Sequence, residues 1–217
     1  MKRRDFSAVT AGLAISGAGV GTWQTAQAQA KAPMEGIDYV TLEKTAPVEA
    51  AAGKVEVVEF FWYSCPHCNS FEPKLEAWVK KLPANVAIKR VPVAFQDSFV
   101  PQQRLFYVLE ALGKLPDLHA KVFYAVHVEK QQLNREDTIG AWLEKQGVDK
   151  AKFTELYNSF SVSTKARRAS QLQEAYKVQG VPALGVAGRF YTDGGLAGTM
   201  DRAITVADYL IAQVKRS

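Results

Sequence analysis

Cysteine is nearly absent from this chain. Only two of its 217 residues are cysteine, Cys65 and Cys68. A framework of disulfide staples is therefore excluded, and the fold has to be held by an apolar core. Histidine is scarce too, with three in the chain. A structural zinc site needs a complete tetrahedral ligand set, and only His119 and His127 stand as distant partners for the cysteines. Long hydrophobic runs are missing. The one candidate, Phe6 to Val20, is shorter than the roughly 20 apolar residues of a membrane span and rich in Gly, Ser and Thr. Charge of one sign is not concentrated either. The net charge is +5, of which Lys2, Arg3 and Arg4 against Asp5 supply +2. The densest basic cluster, Lys165 to Arg168, is short and reads as a solvated helix face. Nucleic acid is not an expected partner.

What is present is an ordinary globular mixture, 47% hydrophobic and 23% charged. The length suits one domain, with room for an insertion. Residues 1–30 read as a targeting segment: a basic start, a weakly apolar run, then small-x-small cleavage sites at Ala26-Gln27-Ala28 and Ala28-Gln29-Ala30. Cleavage is expected after Ala28 or Ala30. Arg3-Arg4-Asp5-Phe6 resembles the core of a twin-arginine signal, and a Sec signal also begins with basic residues. Either route carries the mature chain across the inner membrane of a bacterium.

Along the mature chain, Tyr39 to Leu42 reads as a short edge strand. Val55 to Trp62 reads as a strand buried on both faces, since apolar residues occupy both parities. A helix over about Asn69 to Leu82 follows, with Pro73 expected to kink it and Pro83 to end it. Ala87 to Val93 is a second strand, completing a βαβ unit. From Ser98 to Gly180 the apolar spacing is helical. Leu105, Val108, Leu109 and Leu112 share one face; Leu118, Val122, Phe123 and Val126 share another. Ile139, Trp142 and Leu143 mark a third helix, and Phe153, Leu156 and Tyr157 a fourth. Ser163 to Gln179 reads as one longer helix. Val181 to Ala187 and Arg189 to Thr192 then read as a hairpin, and a last helix carries Ile204, Tyr209, Leu210 and Val214. The expected architecture is α/β: a sheet domain interrupted by a helical block.

The two cysteines are three apart, in Cys65-Pro66-His67-Cys68. A strand leads in and a helix leads out, the context in which such a pair is redox chemistry. A bridge across so short a step closes too small a loop to stabilise much, so catalysis explains it better than scaffolding. A c-type haem site would need His directly after Cys68, and Asn69 is there. At a helix N-terminus, free N–H groups and the helix dipole favour the Cys65 thiolate. Pro66 suits the first turn. His67 adds stabilisation of the same sign. Cys68, one turn deeper, is expected to be less exposed and to be the resolving sulfur. A stabilised thiolate favours the dithiol form and so an enzyme that gives its disulfide away.

Two further positions are unusual. Glu59 lies mid-strand among apolar residues, where it is either an outward-facing side chain or a buried carboxylate beneath Cys68 that relays protons. Glu72 and either Lys89 or Arg90 are candidates for its charged surroundings. Val181-Pro182 places a proline at the start of a strand, a position compatible with a cis peptide.

Together these residues resemble the DsbA family, bacterial periplasmic thiol:disulfide oxidoreductases of the thioredoxin superfamily. The resemblance rests on Glu59-Phe60-Phe61, on Cys65-Pro66-His67-Cys68, on the helical insertion and on Gly180-Val181-Pro182, and spans nearly all of the mature chain. It implies a thioredoxin fold, a central mixed sheet flanked by helices, whose halves are residues 31–97 and 166–217, with a helical insertion at 98–165. It also implies a cis bond at Val181-Pro182 against the cysteines, where a substrate chain pairs. The implied activity is oxidation of thiols in newly exported proteins, with Cys65 attacked, and reoxidation by a quinone-linked membrane partner of the DsbB type. No metal or organic cofactor is implied, and a periplasmic monomer is expected. A reductase or isomerase, or a redox adaptor or chaperone that kept the fold, is the alternative reading of the sequence. The intact cysteine pair argues against a mere binder.

Overall fold

In a computed structural model of the protein, residues 31–214 are described. The targeting segment and its cleavage sites lie outside the described residues. Five strands form one sheet in the order β1-β5-β4-β2-β3. They are β1 (Val40–Thr41), β2 (Val55–Phe61), β3 (Val86–Pro92), β4 (Ala183–Val186) and β5 (Phe190–Asp193). β2 pairs parallel with β3, and the other pairings are antiparallel. The helices are α1 (Pro66–Val79), α2 (Val100–Ala111), α3 (Leu115–His127), α4 (Glu136–Lys145), α5 (Lys150–Tyr157), α6 (Phe160–Ala175) and α7 (Met200–Val214). The mixed sheet flanked by helices is the fold class the sequence implies. α6 runs unbroken across the expected 165/166 boundary and packs on both α2 and β3.

β2 lies inside the sheet between β4 and β3, and all of its residues are buried. Its parity splits the core in two. Val55 and Val57 join Leu184 and Val186 beneath Phe71, Leu75 and Trp78 of α1 and the apolar face of α7. Val58 and Phe60 face the other way, into a core shared with the helical block. Phe60 and Phe61 are both fully buried, and each such ring contributes ~2–3 kcal/mol relative to an exposed one. Pro92 is tolerated because β3 is an edge strand.

Three local expectations are corrected. α1 starts at Pro66 rather than near Asn69, because Cys65 itself is the N-cap: its sulfur accepts the Cys68 N–H. The helix then runs through Pro73 to Val79, short of Leu82. α6 spans Phe160–Ala175 rather than 163–179. Ser159 caps its start, its hydroxyl accepting from Val162 N at 3.2 Å. At the other end Lys177 turns left-handed (φ 53°), with Val178 N–H donating to Gln173 O. The hairpin strands are also shorter than expected. Ala187 and Gly188 both have positive φ (54° and 66°), the signature of a tight primed turn. Gly188 is required there, since a Cβ would lie 2.4 Å from Ala46 O.

Candidate active site

β2 delivers the chain to the motif at one end of the sheet. Trp62 O accepts the Cys65 N–H at 3.0 Å, closing a turn, and α1 begins at once. Cys65 adopts an extended backbone, and Pro66 occupies the first helical position. Both cysteines are free thiols, 7% and 1% exposed, so Cys68 is the deeper as expected. Cys65 Sγ accepts the Cys68 N–H at 3.4 Å, and its thiol donates to Val181 O at 3.4 Å. The Val181-Pro182 bond is cis. Pro182 is buried, whereas Pro66 and His67 are exposed. His67 shares an open depression of about 450 Å³ with Gly180, Val181, Pro182 and Met200. Residues 116 positions apart therefore form the two walls of one site.

The two sulfurs are electrostatically unequal. Cys65 is brought down to about 6, chiefly by the hydrogen bond from the Cys68 side chain. Burial opposes this, while the Cys68 and His67 N–H groups and the His67 charge add to it. The sequence pointed to the helix terminus and His67; the largest lowering comes from the partner cysteine. Burial pushes the Cys68 thiol far upward, and the neighbouring Cys65 and Glu59 push the same way. One sulfur is a thiolate at neutral pH and the other holds its proton.

Glu59 is the buried form of the two alternatives, 1% exposed. Burial raises it to about 8, partly opposed by Arg90 and reinforced by Glu72 and Glu76. Its Oε2 makes no hydrogen bond and lies 3.7 Å from Arg90 Nε. Arg90, not Lys89, is the cation. The parallel register sets Glu59 beside Arg90, while Lys89 pairs with Glu49 at 2.8 Å. Arg90 Nη1 donates to Glu72 Oε1 at 2.7 Å and also to His119 Nε2, and Nη2 donates to Glu76. Burial works to raise Glu72, but His119 and Arg90 together hold it below the usual range. Burial lowers His119, and the neighbouring Glu72 works against that. His119 Nδ1 lies 2.8 Å from the Tyr63 hydroxyl. The cluster opens on a cavity of about 600 Å³ lined by Glu72, Glu76, Arg90 and His119.

The sequence does not mark Tyr63 or Glu76, and it marks His119 only as a distant zinc candidate. Glu76 follows Glu72 at helical spacing and was findable. Tyr63 and His119 are 56 positions apart, and no local pattern links them. His119 and His127 do not form a metal site with the cysteines; among the described residues no cluster with metal-ligand character occurs.

A buried acid raised to about 8 gives a signed expectation. Between the model-peptide value of 4.5 and about 8, the folded state holds a proton that the unfolded state has lost. Glu59 therefore costs stability progressively as pH rises through that window. Glu59→Gln, a neutral isostere of the protonated acid, is expected to flatten the curve. Urea unfolding at pH 5 and pH 9 checks this: the variant gains on the wild type at the higher pH, and an unchanged difference counts against it.

The arrangement is a thiolate at a helix N-terminus, a protonated buried partner sulfur and a cis-proline wall, and it is suited to thiol–disulfide exchange. Comparison with known proteins agrees. The family of the DSBA-like thioredoxin domain matches residues 85–204. The thiol:disulfide interchange protein DsbA of Burkholderia cepacia is 44% identical over 190 residues, 88% of this chain and 90% of that protein. The chain belongs to the DsbA family. The DsbA of Azotobacter vinelandii is 38% identical over 216 residues, 98% of each chain. The crystal structure of Pseudomonas aeruginosa DsbA superposes with a TM-score of 0.79 at 40% identity, covering 83% of this chain and 94% of that one. The protein is thus a disulfide oxidoreductase of the thioredoxin superfamily. Among the described residues no helix is long and apolar enough to cross a membrane.

Proposed function

We propose that this DsbA-family enzyme donates a Cys65–Cys68 disulfide to newly exported, reduced proteins in the periplasm. The observation that carries the reading is the inequality of the two sulfurs, Cys65 capping α1 as a thiolate and Cys68 buried with its proton. In the first step a substrate thiolate attacks Cys65 Sγ. The substrate–Cys65 bond forms, the Cys65–Cys68 bond breaks, and Cys68 leaves with the electron pair. That sulfur is buried and has to be protonated. Glu59, protonated below about pH 8 and close enough to act on the Cys68 thiol, is the donor. In the second step the substrate's other thiolate attacks the sulfur bound to Cys65, and Cys65 departs as a stable thiolate. The substrate is oxidised by two electrons and the enzyme is reduced by two.

The Val181 backbone beside cis-Pro182 is where the substrate chain lies, with Pro66 and His67 on the opposite wall. Reoxidation returns the two electrons to a quinone-linked membrane partner of the DsbB type. The enzyme acts as a monomer, its sheet domain in two halves around the helical insertion at 98–165.

The test is a titration and a potential. Thiolate absorbance of the reduced protein is expected to rise with a midpoint near pH 6, not near the ~8.5 of an unperturbed cysteine. The reduction potential against glutathione is expected on the oxidising side, since lowering the Cys65 pKa stabilises the dithiol. A midpoint above pH 8, or a strongly reducing potential, makes the protein a reductase instead.

A further inference from the structure

The three residues just before Cys65 share a property that their sequence does not advertise. Each is held by the helical insertion. The Trp62 ring stacks flat on Phe99, centroids 3.7 Å apart and planes 4° apart. Tyr63 is gripped at both ends by α3. Its hydroxyl meets His119 Nδ1 at 2.8 Å, and its carbonyl lies 2.8 Å from His127 Nε2. A carbonyl only accepts, so His127 carries its proton on Nε2. Ser64 Oγ accepts from Gln102 Nε2 of α2 at 2.7 Å, and Gln102 is itself buried. The turn that these residues make ends on the Trp62 O to Cys65 N–H bond.

From this geometry we infer that the helical insertion sets the position of the Cys65 sulfur through Tyr63 and Ser64, with His127 and Gln102 as positioning residues. The lever is short. Cys65 Sγ is stabilised by N–H groups of the first helical turn, at 3.4 Å for Cys68 N, and such contacts weaken steeply when a donor moves. Tyr63 and Ser64 are the hinge between rigid β2 and that turn. Releasing the Tyr63 carbonyl or the Ser64 hydroxyl lets the hinge relax, and the N-cap sulfur loses alignment with its donors. The insertion then acts on the redox pair without touching either sulfur. His127 faces Phe123 of its own helix and the Tyr63 carbonyl.

This inference rests on Cys65 being the reacting thiolate, and the experiment separates the two. In the full chain, His127→Ala is expected to raise the Cys65 thiolate midpoint from about 6 by about one unit. It should also shift the disulfide equilibrium against glutathione about tenfold, ~30 mV, toward a less oxidising enzyme. His127→Gln, whose amide can donate to the same carbonyl, should restore most of both. If His127→Ala lowers the melting temperature but leaves midpoint and equilibrium unchanged, the brace is packing alone and the inference is overturned. Should that variant fail to fold, Ser64→Ala decides by the same two readings: a shift in the same direction supports the inference, and no shift overturns it. Cys65→Ser is the control on the underlying reading. Normal dithiol oxidation by Cys65→Ser sinks that reading whatever the brace does.

Discussion

Cys65→Ser loses dithiol oxidation by at least about a thousandfold, to the background of uncatalysed exchange. The sulfur at this position is both the atom attacked and the leaving group that frees the product. A serine oxygen forms no disulfide and cannot take either part. Cys68→Ser differs in kind. It keeps the low-pKa sulfur but has no partner to close on, so with a disulfide substrate it accumulates a mixed disulfide that persists. Following a reduced dithiol peptide by its free thiols checks the first variant, and non-reducing electrophoresis checks the second. Equal activity in Cys65→Ser and the wild type would falsify the assignment of the nucleophile. Persistence of the mixed disulfide in Cys65→Ser rather than Cys68→Ser would exchange the two roles.

Arg90→Met destabilises the protein by ~3–5 kcal/mol at pH 8. Arg90 is 14% exposed and faces Glu59, Glu72 and Glu76, of which Glu59 and Glu72 are buried. Methionine keeps much of the volume, so the loss isolates the charge. Without the guanidinium the buried carboxylates have higher pKa values when folded than when unfolded. A group shifted in that direction loses stability as pH rises above its unfolded value. The loss is therefore smaller at pH 5, where the carboxylates take up protons, than at pH 8. Urea midpoints at the two pH values measure it. A loss independent of pH shows that Arg90 acts by packing, and the electrostatic account of the cluster fails.

Local pattern carried much of the architecture. β2 was legible because both of its parities are apolar, and the helices of the block because their apolar spacing is helical. Boundaries failed where a distant residue made the decision. α6 stops at Ala175 as the chain turns to set Tyr176 against Phe60, with ring centroids 5.2 Å apart. α1 starts three residues early because a sulfur can cap a helix, and Cys is not among the residues that announce a cap. Glu59 stood out as a carboxylate in an apolar strand, yet either fate was open to it. The choice of Arg90 over Lys89 is a matter of register, since neighbouring residues of β3 point to opposite faces.

The sequence by itself determined the chemistry. Two cysteines three apart, with Pro66 and His67 between them and a strand and a helix on either side, admit thiol–disulfide exchange and little else. Residue identity and short spacing suffice for that, because the reacting atoms lie within one turn of helix. The tertiary structure alone decided how the pair is poised. The Cys68 and Glu59 shifts depend on burial, and burial is a property of the whole packed chain. The carbonyl of Val181, the Arg90 guanidinium and the α3 histidines reach the site from distant positions. Contacts across such separations have no periodicity to read, so only the folded chain brings them together.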